Sequence, residues 1–284
     1  MSYSSNLTDG EWKIVEPLLL ELLPKKKRTR PCEWSKRELL DGMLYQLKNG
    51  CNWQDLPKEF PPYSTVYWHY KQWRNAGVFE ELMRVLHGQV REQVKKKPKW
   101  TTLILIDSQA VKNTCTAGVE SKGFCFYKAT NGIKRHLAVD TLGFPFFTHC
   151  TKASVSDDAG LIEMLTLNID YFKSKPVNIP KITILLDHGY HIDHLIAELE
   201  KVYPQIMTKI RFELSTKPSK QEKAAQGKSG FVPAIARWVI ERSNAWMERC
   251  KILVKNFERT LDNAKTKIDL CFVRLMLKRL AASH

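Results

Sequence analysis

Over the first hundred residues, apolar positions recur at three- and four-residue intervals, the period of helices with one buried face. Thr8 and Glu11 precede the run 12–23, and Ser35 and Glu38 repeat their spacing before 39–47. This is the capping-box pattern, in which each side chain bonds the other's backbone amide. Gly50 ends the second run. A short helical piece over 53–56 meets Pro57, and Pro61 and Pro62 interrupt again. Ser64 is placed to cap a helix over 65–74 that Gly77 closes, and a longer helix follows over 79–94. From Thr101 the pattern changes. Leu103–Ile106 and Ile182–Leu186 are short apolar runs that stop at Asp107 and Asp187, and both read as buried strands. Segments 135–140 and 144–151 flank a turn containing Gly143, which predicts a hairpin. Helices are expected over 157–172, behind Ser156, and over 191–202. A fifth strand is expected over 205–212, a polar loop over 217–230, a long amphipathic helix over 234–257 and a last helix over 269–280. The chain has no internal repeat. The change of period divides it into a helical domain, 1–98, and an α/β domain, 99–284.

Composition adds less than charge does. The chain has 284 residues, 43% of them apolar, enough for a substantial core. No apolar run approaches the roughly 18 residues that span a bilayer, so no membrane partner is expected. The polar start, 1–9, does not read as a signal peptide. Seven cysteines, an odd number without a C-x-x-C pair, argue against a disulfide framework and a structural zinc site, and fit a reducing cytoplasm. The net charge is +15 and uneven: +6 over 1–100, −2 over 101–200 and +11 over 201–284. Basic outer thirds suit a polyanionic partner, although simple solubility is the plainer alternative. Lys25 to Arg28 reads as a solvated charge run.

The acidic middle has its own chemistry. In an open α/β sheet the ligand site lies just beyond the strand ends. Two carboxylates there, Asp107 and Asp187, form a hard oxygen site suited to Mg2+ or Mn2+. Glu241, on a helix whose other face carries Trp238, Val239, Trp246, Ile252 and Leu253, can supply a third. A lone Asp at a strand end is more often a cap or turn residue. The element order weighs against that here, because three strands, a helix, a strand, a helix, a strand and a late acid-bearing helix form the ribonuclease H-like order. His136, His149, His188 and His191 lack zinc spacing and are expected to be structural.

Several stretches resemble the DDE-type transposases of the bacterial grouping around insertion sequences four and five. They are Leu7-Thr-Asp-Gly-Glu-Trp12, Gly50-Cys-Asn-Trp-Gln-Asp-Leu-Pro57, Pro61-Pro-Tyr-Ser-Thr-Val-Tyr67, Ile106-Asp-Ser-Gln109, Asn131 to Asp140, Asp187-His-Gly-Tyr190 and Arg237-Trp-Val-Ile-Glu-Arg242. Each is weak alone; their order, over about 7–280, is specific. The resemblance implies a ribonuclease H-like mixed-sheet catalytic core behind an all-α, helix-turn-helix-like domain. It implies that Asp107, Asp187 and Glu241 hold two Mg2+ ions, with Mn2+ able to substitute, for phosphodiester hydrolysis at the element's ends. The freed 3′-OH then joins target DNA. Double-stranded DNA is the implied partner, bound by a homodimer or larger assembly near the nucleoid. Around Glu241 this chain departs from the wider signature: Ala234 and Glu248 stand where Tyr and Lys are usual, while Arg237 matches. Arg249 or Lys251 is expected to replace that Lys.

Further DNA contacts follow from chemistry and position. The segment 63–74 resembles the second helix of a helix-turn-helix, whose start faces the major groove. Ser64, Thr65 and Trp68 are placed to reach bases or phosphates, and Lys71 and Arg74 to hold phosphates. Val66, Tyr70 and Trp73, at helical spacing, are expected in the core. Lys134 and Arg135 are expected to hold DNA backbone near the acids, or to be ordinary edge charges. Two other functions remain open. One is a ribonuclease H-like structure-specific nuclease; the other is a DNA-binding regulator derived from a transposase.

Overall fold

The structure is a computed structural model that describes residues 3–24, 32–97, 99–215 and 235–282, the side chains of 235–237 excepted. The basic run 25–28, the expected loop 217–230 and Ala234 lie outside the described residues. The chain forms two compact units. One comprises 1–99, 114–117 and 247–284; the other comprises 100–113 and 118–246. The first break falls beside the expected boundary at 98/99. The C-terminal residues, expected with the sheet, are instead built into the helical unit.

In the helical unit, α1 (Asp9–Leu22), α2 (Lys36–Asn49), α3 (Tyr63–Asn75) and α4 (Val78–Gln93) pack with α11 (Leu261–Ala281). Both capping boxes form, at Thr8 with Glu11 and Ser35 with Glu38. Gly50 ends α2 in the left-handed region at φ 67°, which a side chain rarely adopts. The C-terminal helix is longer than 269–280 because Thr260 caps it. It is buried on nearly every side, from Ala264 to Leu280, so it forms the centre of this unit. Ion pairs fix it to its neighbours: Arg274 to Glu11 on α1, and Lys265 to Glu80 on α4 at 2.9 Å. Ser64 does not cap α3. The helix starts two residues earlier, at Tyr63, with the Pro62 carbonyl accepting the Thr65 and Val66 amides.

The other unit is a mixed sheet of β1 (Leu103–Lys112), β2 (Phe124–Cys125), β3 (Thr130–Val139), β4 (Pro145–Lys152), β5 (Ile182–Leu186) and β6 (Ile210–Leu214). Its main order is β4-β3-β1-β5-β6, with the first three strands antiparallel and β1, β5 and β6 parallel. This is the ribonuclease H-like order, α/β as expected. β5 is apolar except for Thr183 because it has a parallel neighbour on each edge. Along β1 the two-residue period sends Ile104 and Ile106 to one face, where they join Leu161, Met164 and Leu165 of α5 (Asp157–Leu167) and Leu195 and Leu199 of α7 (Ile192–Val202). Leu105 and Asp107 point to the opposite face.

Three sequence expectations change. The helix over 157–172 breaks at Asn168, whose side-chain amide donates to the Met164 carbonyl, and resumes as α6 (Ile169–Lys173). Segment 205–212 begins as a helical turn, α8 (Ile206–Lys209), before β6. The helix over 234–257 is two: α9 (Ile235–Glu248) and the short α10 (Lys251–Val254). Among the described residues no helix is long and apolar enough to cross a membrane.

Candidate functional site

Asp107 is not at the end of its strand, as its sequence suggested. β1 runs on to Lys112, paired with β3 throughout. What ends near Asp107 is the pairing with β5, which covers only Leu103 to Leu105. Asp187 follows β5 directly. The carboxylates therefore flank the place where two parallel strands part, with β3 holding Asp107 rigidly against Leu137. The His188 amide donates to Asp187 Oδ1 at 2.8 Å and turns the chain out of the strand.

α9 brings the third acid. A cleft of about 80 Å³ is lined by Leu105, Asp107, Leu185, Asp187, Ile240 and Glu241, among others. The helix is seated on the β3–β4 hairpin. Ser243 Oγ donates to the Gly143 carbonyl and Arg242 to the Leu142 carbonyl, both at 2.8 Å. The Arg242 guanidinium lies over the Trp238 and Trp246 rings, at 4.5 and 4.9 Å. Gly143 is required here: its φ is +85°, and a Cβ would stand 2.9 Å from Ser243 Oγ. The Asp140 carboxylate accepts the Leu142 amide at 2.8 Å and fixes the same turn.

Burial pushes the Asp107 carboxyl above its usual range, and the Asp187 charge adds to that. The Ser108 amide, Lys128 and the Asn244 side chain, 3.2 Å from Oδ2, pull it back down. A desolvated carboxylate with like charge nearby favours either a proton or a cation. The all-carboxylate donor set fits a hard divalent ion, and Asn244 is a neutral donor that turns an Asp107 oxygen. Among the described residues no three His, Cys, Asp or Glu side chains are grouped closely enough to hold an ion; the three acids line one cleft.

The sequence missed the supports behind these acids. Asn244 is three residues beyond Glu241, on the same helical face, a spacing that could have revealed it. Asp157 and Asp158 read as ordinary first-turn acids, yet each reaches a different acid-bearing segment. Asp157 Oδ1 accepts Ser108 Oγ at 2.7 Å, beside Asp107. Asp158 takes the His191 amide at 3.2 Å and its Nδ1 at 2.7 Å, holding the turn after Asp187. No local sequence signal announces these long-range bonds.

Other expected residues separate. Lys134 and Arg135 are buried, and Lys134 is held by Asp157 at 2.8 Å and the Val155 carbonyl at 2.6 Å. This corrects both readings of them, DNA contact and edge charge, since β3 lies between β1 and β4. Val66, Tyr70 and Trp73 are core, and Ser64, Trp68 and Lys71 are exposed on α3, with Thr65 half-buried. Arg74 is bonded to Asn263 and lies 3.6 Å from Asp262, which commits it to packing against α11. Arg249 and Lys251 are exposed in the helical unit. The side chain of Arg237 lies outside the described residues. His136 bonds Thr151 at 3.0 Å, and burial lowers its pKa to about 3, so it is a neutral structural group.

Residues 101–277 match the family described as "Transposase DDE domain". The chain belongs to the DDE transposases. Its residues 7–83 also match the family described as "Putative transposase of IS4/5 family". Among curated proteins, it is 34% identical over 88 residues to the "Insertion element IS402 uncharacterized 16.2 kDa protein" of Burkholderia cepacia, covering 30% of this chain and 60% of that one. It is 26% identical over 151 residues to the "Putative transposase for insertion sequence element IS402" of the same organism, covering 51% and 64%. The chain thus spans about three-fifths of the curated relatives' length. A crystal structure of the Mos1 strand transfer complex aligns over 92% of this DDE transposase and 81% of its own chain, at 13% identity and a TM-score of 0.22, which carries no weight for the fold.

Proposed function

We propose that this DDE transposase binds the terminal inverted repeats of an insertion sequence, hydrolyses phosphodiester bonds at its ends and joins the 3′-OH to target DNA. Asp107, Asp187 and Glu241 would hold two Mg2+ ions, with Mn2+ able to substitute. The observation that carries this reading is their meeting: acids from β1, the end of β5 and α9 line one cleft. When bound, the ions supply Lewis acidity at the scissile phosphate. The chain's own groups supply order. Asn244 and the Ser108 amide aim the Asp107 oxygens, Asp158 holds the turn behind Asp187, and the hairpin at Gly143 fixes the helix that presents Glu241.

The exposed face of α3, with Ser64, Thr65, Trp68 and Lys71, is the proposed DNA-reading surface, and Arg249 and Lys251 are proposed phosphate contacts. Because two ends must be joined in one event, the working form on DNA is a dimer or larger assembly.

The test uses double-stranded DNA carrying the repeats that flank the gene. Asp107→Ala lowers strand cleavage in Mg2+ on the order of a thousandfold or more while end binding changes little. Cleavage by Asp107→Ala at the wild-type rate would falsify the assignment. Joined products, as opposed to nicks alone, separate a transposase from a ribonuclease H-like nuclease. Replacing Lys71 by Ala lowers end affinity and shallows its salt dependence by about one unit of slope.

A further inference from the structure

β2 and the start of β3 form a short hairpin whose tip is exposed. Its base is well tied: the Gly132 amide donates to the Gly123 carbonyl at 2.8 Å, Cys125 is buried, and Asn113 Nδ2 donates to the Ser121 carbonyl at 2.6 Å. The tip is a turn closed by the Ala129 amide on the Phe126 carbonyl at 3.2 Å. On it Phe126 is 84% exposed and Tyr127 fully exposed, with Phe124 at 44%. The Phe124 and Phe126 rings meet edge to face at 5.1 Å. Single exposed aromatics are ordinary, but three within four residues on a fixed turn mark a contact surface.

Charge identifies the occupant. The third of the chain from 101 to 200 is net acidic, yet from Ser121 to Arg135 it holds no Asp or Glu. Lys122 and Lys128 bracket the three aromatics, and both are exposed. Aromatic faces flanked by cations are the chemistry that stacks bases and tracks a phosphate backbone, where a protein partner of an apolar tip needs no such lysines. The hairpin is continuous with β3, which pairs along β1, the strand that carries Asp107, and the Lys128 charge acts on both Asp107 and Asp157.

We propose that Phe126 and Tyr127, flanked by Lys122 and Lys128, form a stacking platform for unpaired nucleobases next to the carboxylate cleft. It rests on the DNA reading above and deepens it. A strand parting at the cleavage point exposes base faces, and capturing them on a rigid tip keeps the end open beside the acids. Because every base has a π-face, the platform is indifferent to sequence.

The experiment uses the full chain in EDTA, so that no cleavage intervenes. Two DNA probes share one duplex sequence from the element's end. One is blunt; the other carries unpaired nucleotides with 2-aminopurine among them. Wild type binds the forked probe about tenfold or more tightly than the blunt one and quenches 2-aminopurine. Phe126→Ala with Tyr127→Ala loses that preference and the quenching but keeps blunt-duplex affinity, while Tyr127→Trp retains both. An equal forked-to-blunt ratio in wild type and double variant overturns the platform and leaves the transposase reading standing. So does a double variant whose change is in oligomeric mass without DNA, which makes the tip a contact between copies of the chain. If wild type binds neither probe, the DNA reading itself fails and the platform with it.

Discussion

Lys267 in the helical unit and Asp107 in the sheet unit are both pushed by burial towards their neutral forms, yet their surroundings differ in kind. The Lys267 ammonium is enclosed: Gln46 Oε1 accepts from it at 2.6 Å, and it lies over the Tyr70 and Trp53 rings at 4.4 and 4.6 Å. Asp107 has one side-chain donor, Asn244, and otherwise opens onto a cleft shared with Asp187 and Glu241. Burial alone therefore does not mark a functional group. A desolvated charge whose contacts close around it is part of the packing. One that faces accessible volume and like charge is arranged for a ligand of opposite sign.

The comparison breaks most sharply at Asp107→Ala, where a cleaving variant would make this carboxylate as structural as Lys267. A smaller effect is expected one layer back. Asp158→Asn keeps the shape of the side chain but weakens its bonds to the His191 ring and amide, so the turn carrying Asp187 loosens. The half-saturating Mg2+ concentration for strand cleavage should then rise about 10- to 100-fold, with cleavage recovered at high metal. A merely structural Asp158 would lower Tm and leave the Mg2+ dependence where it was.

The same contrast explains what the sequence could and could not reveal. Thr8 with Glu11, Ser35 with Glu38, Gly50 and the hairpin at Gly143 were legible because each signal lies within a few residues of the structure it makes. Asp107 and Asp187 were picked out by the strand runs they follow and by the element order, and Glu241 by the family resemblance; the structure brings all three to one cleft. Asp107 within a continuing strand was not legible, because β1 persists only through its pairing with β3, some thirty residues away in sequence. Nor was the break after Glu248, because the apolar spacing runs through it: Ile252 and Leu253 are buried, but in the helical unit, against the end of α2. The expected edge position of Lys134 failed for a related reason, since only the full sheet order shows β3 to be an inner strand.

Gly143 links a local signal to the distant site, and so offers the next test. Gly143→Ala places a Cβ at positive φ and against Ser243, which should destabilise the sheet unit by about 2 kcal/mol. Denaturant titration measures the loss. Conditions in which the variant remains folded then show whether α9 has shifted: cleavage falls if Glu241 depends on this seat, and stays at the wild-type level if the helix is held elsewhere.

The smallest effect concerns the enclosed lysine. Burial lowers the Lys267 pKa from 10.5 to about 8, while Glu258 and Cys51 pull the other way. The unfolded chain therefore binds more protons than the folded one between about 8 and 10.5, and stability must rise with pH across that window. Below it both states carry the charge, and the folded state bears the whole desolvation. Raising the pH from 7 to 9 should add about 1 kcal/mol relative to Lys267→Met, which has no proton to lose. Urea midpoints of the two proteins at matched pH isolate this residue from every other titrating group. At pH 7 the Met variant should lie within about 1 kcal/mol of wild type, because it removes a buried charge but leaves Gln46 without its donor. Parallel pH profiles would mean that the ring faces and Gln46 stabilise the ammonium as well as water does, and that the contrast with Asp107 is one of access alone.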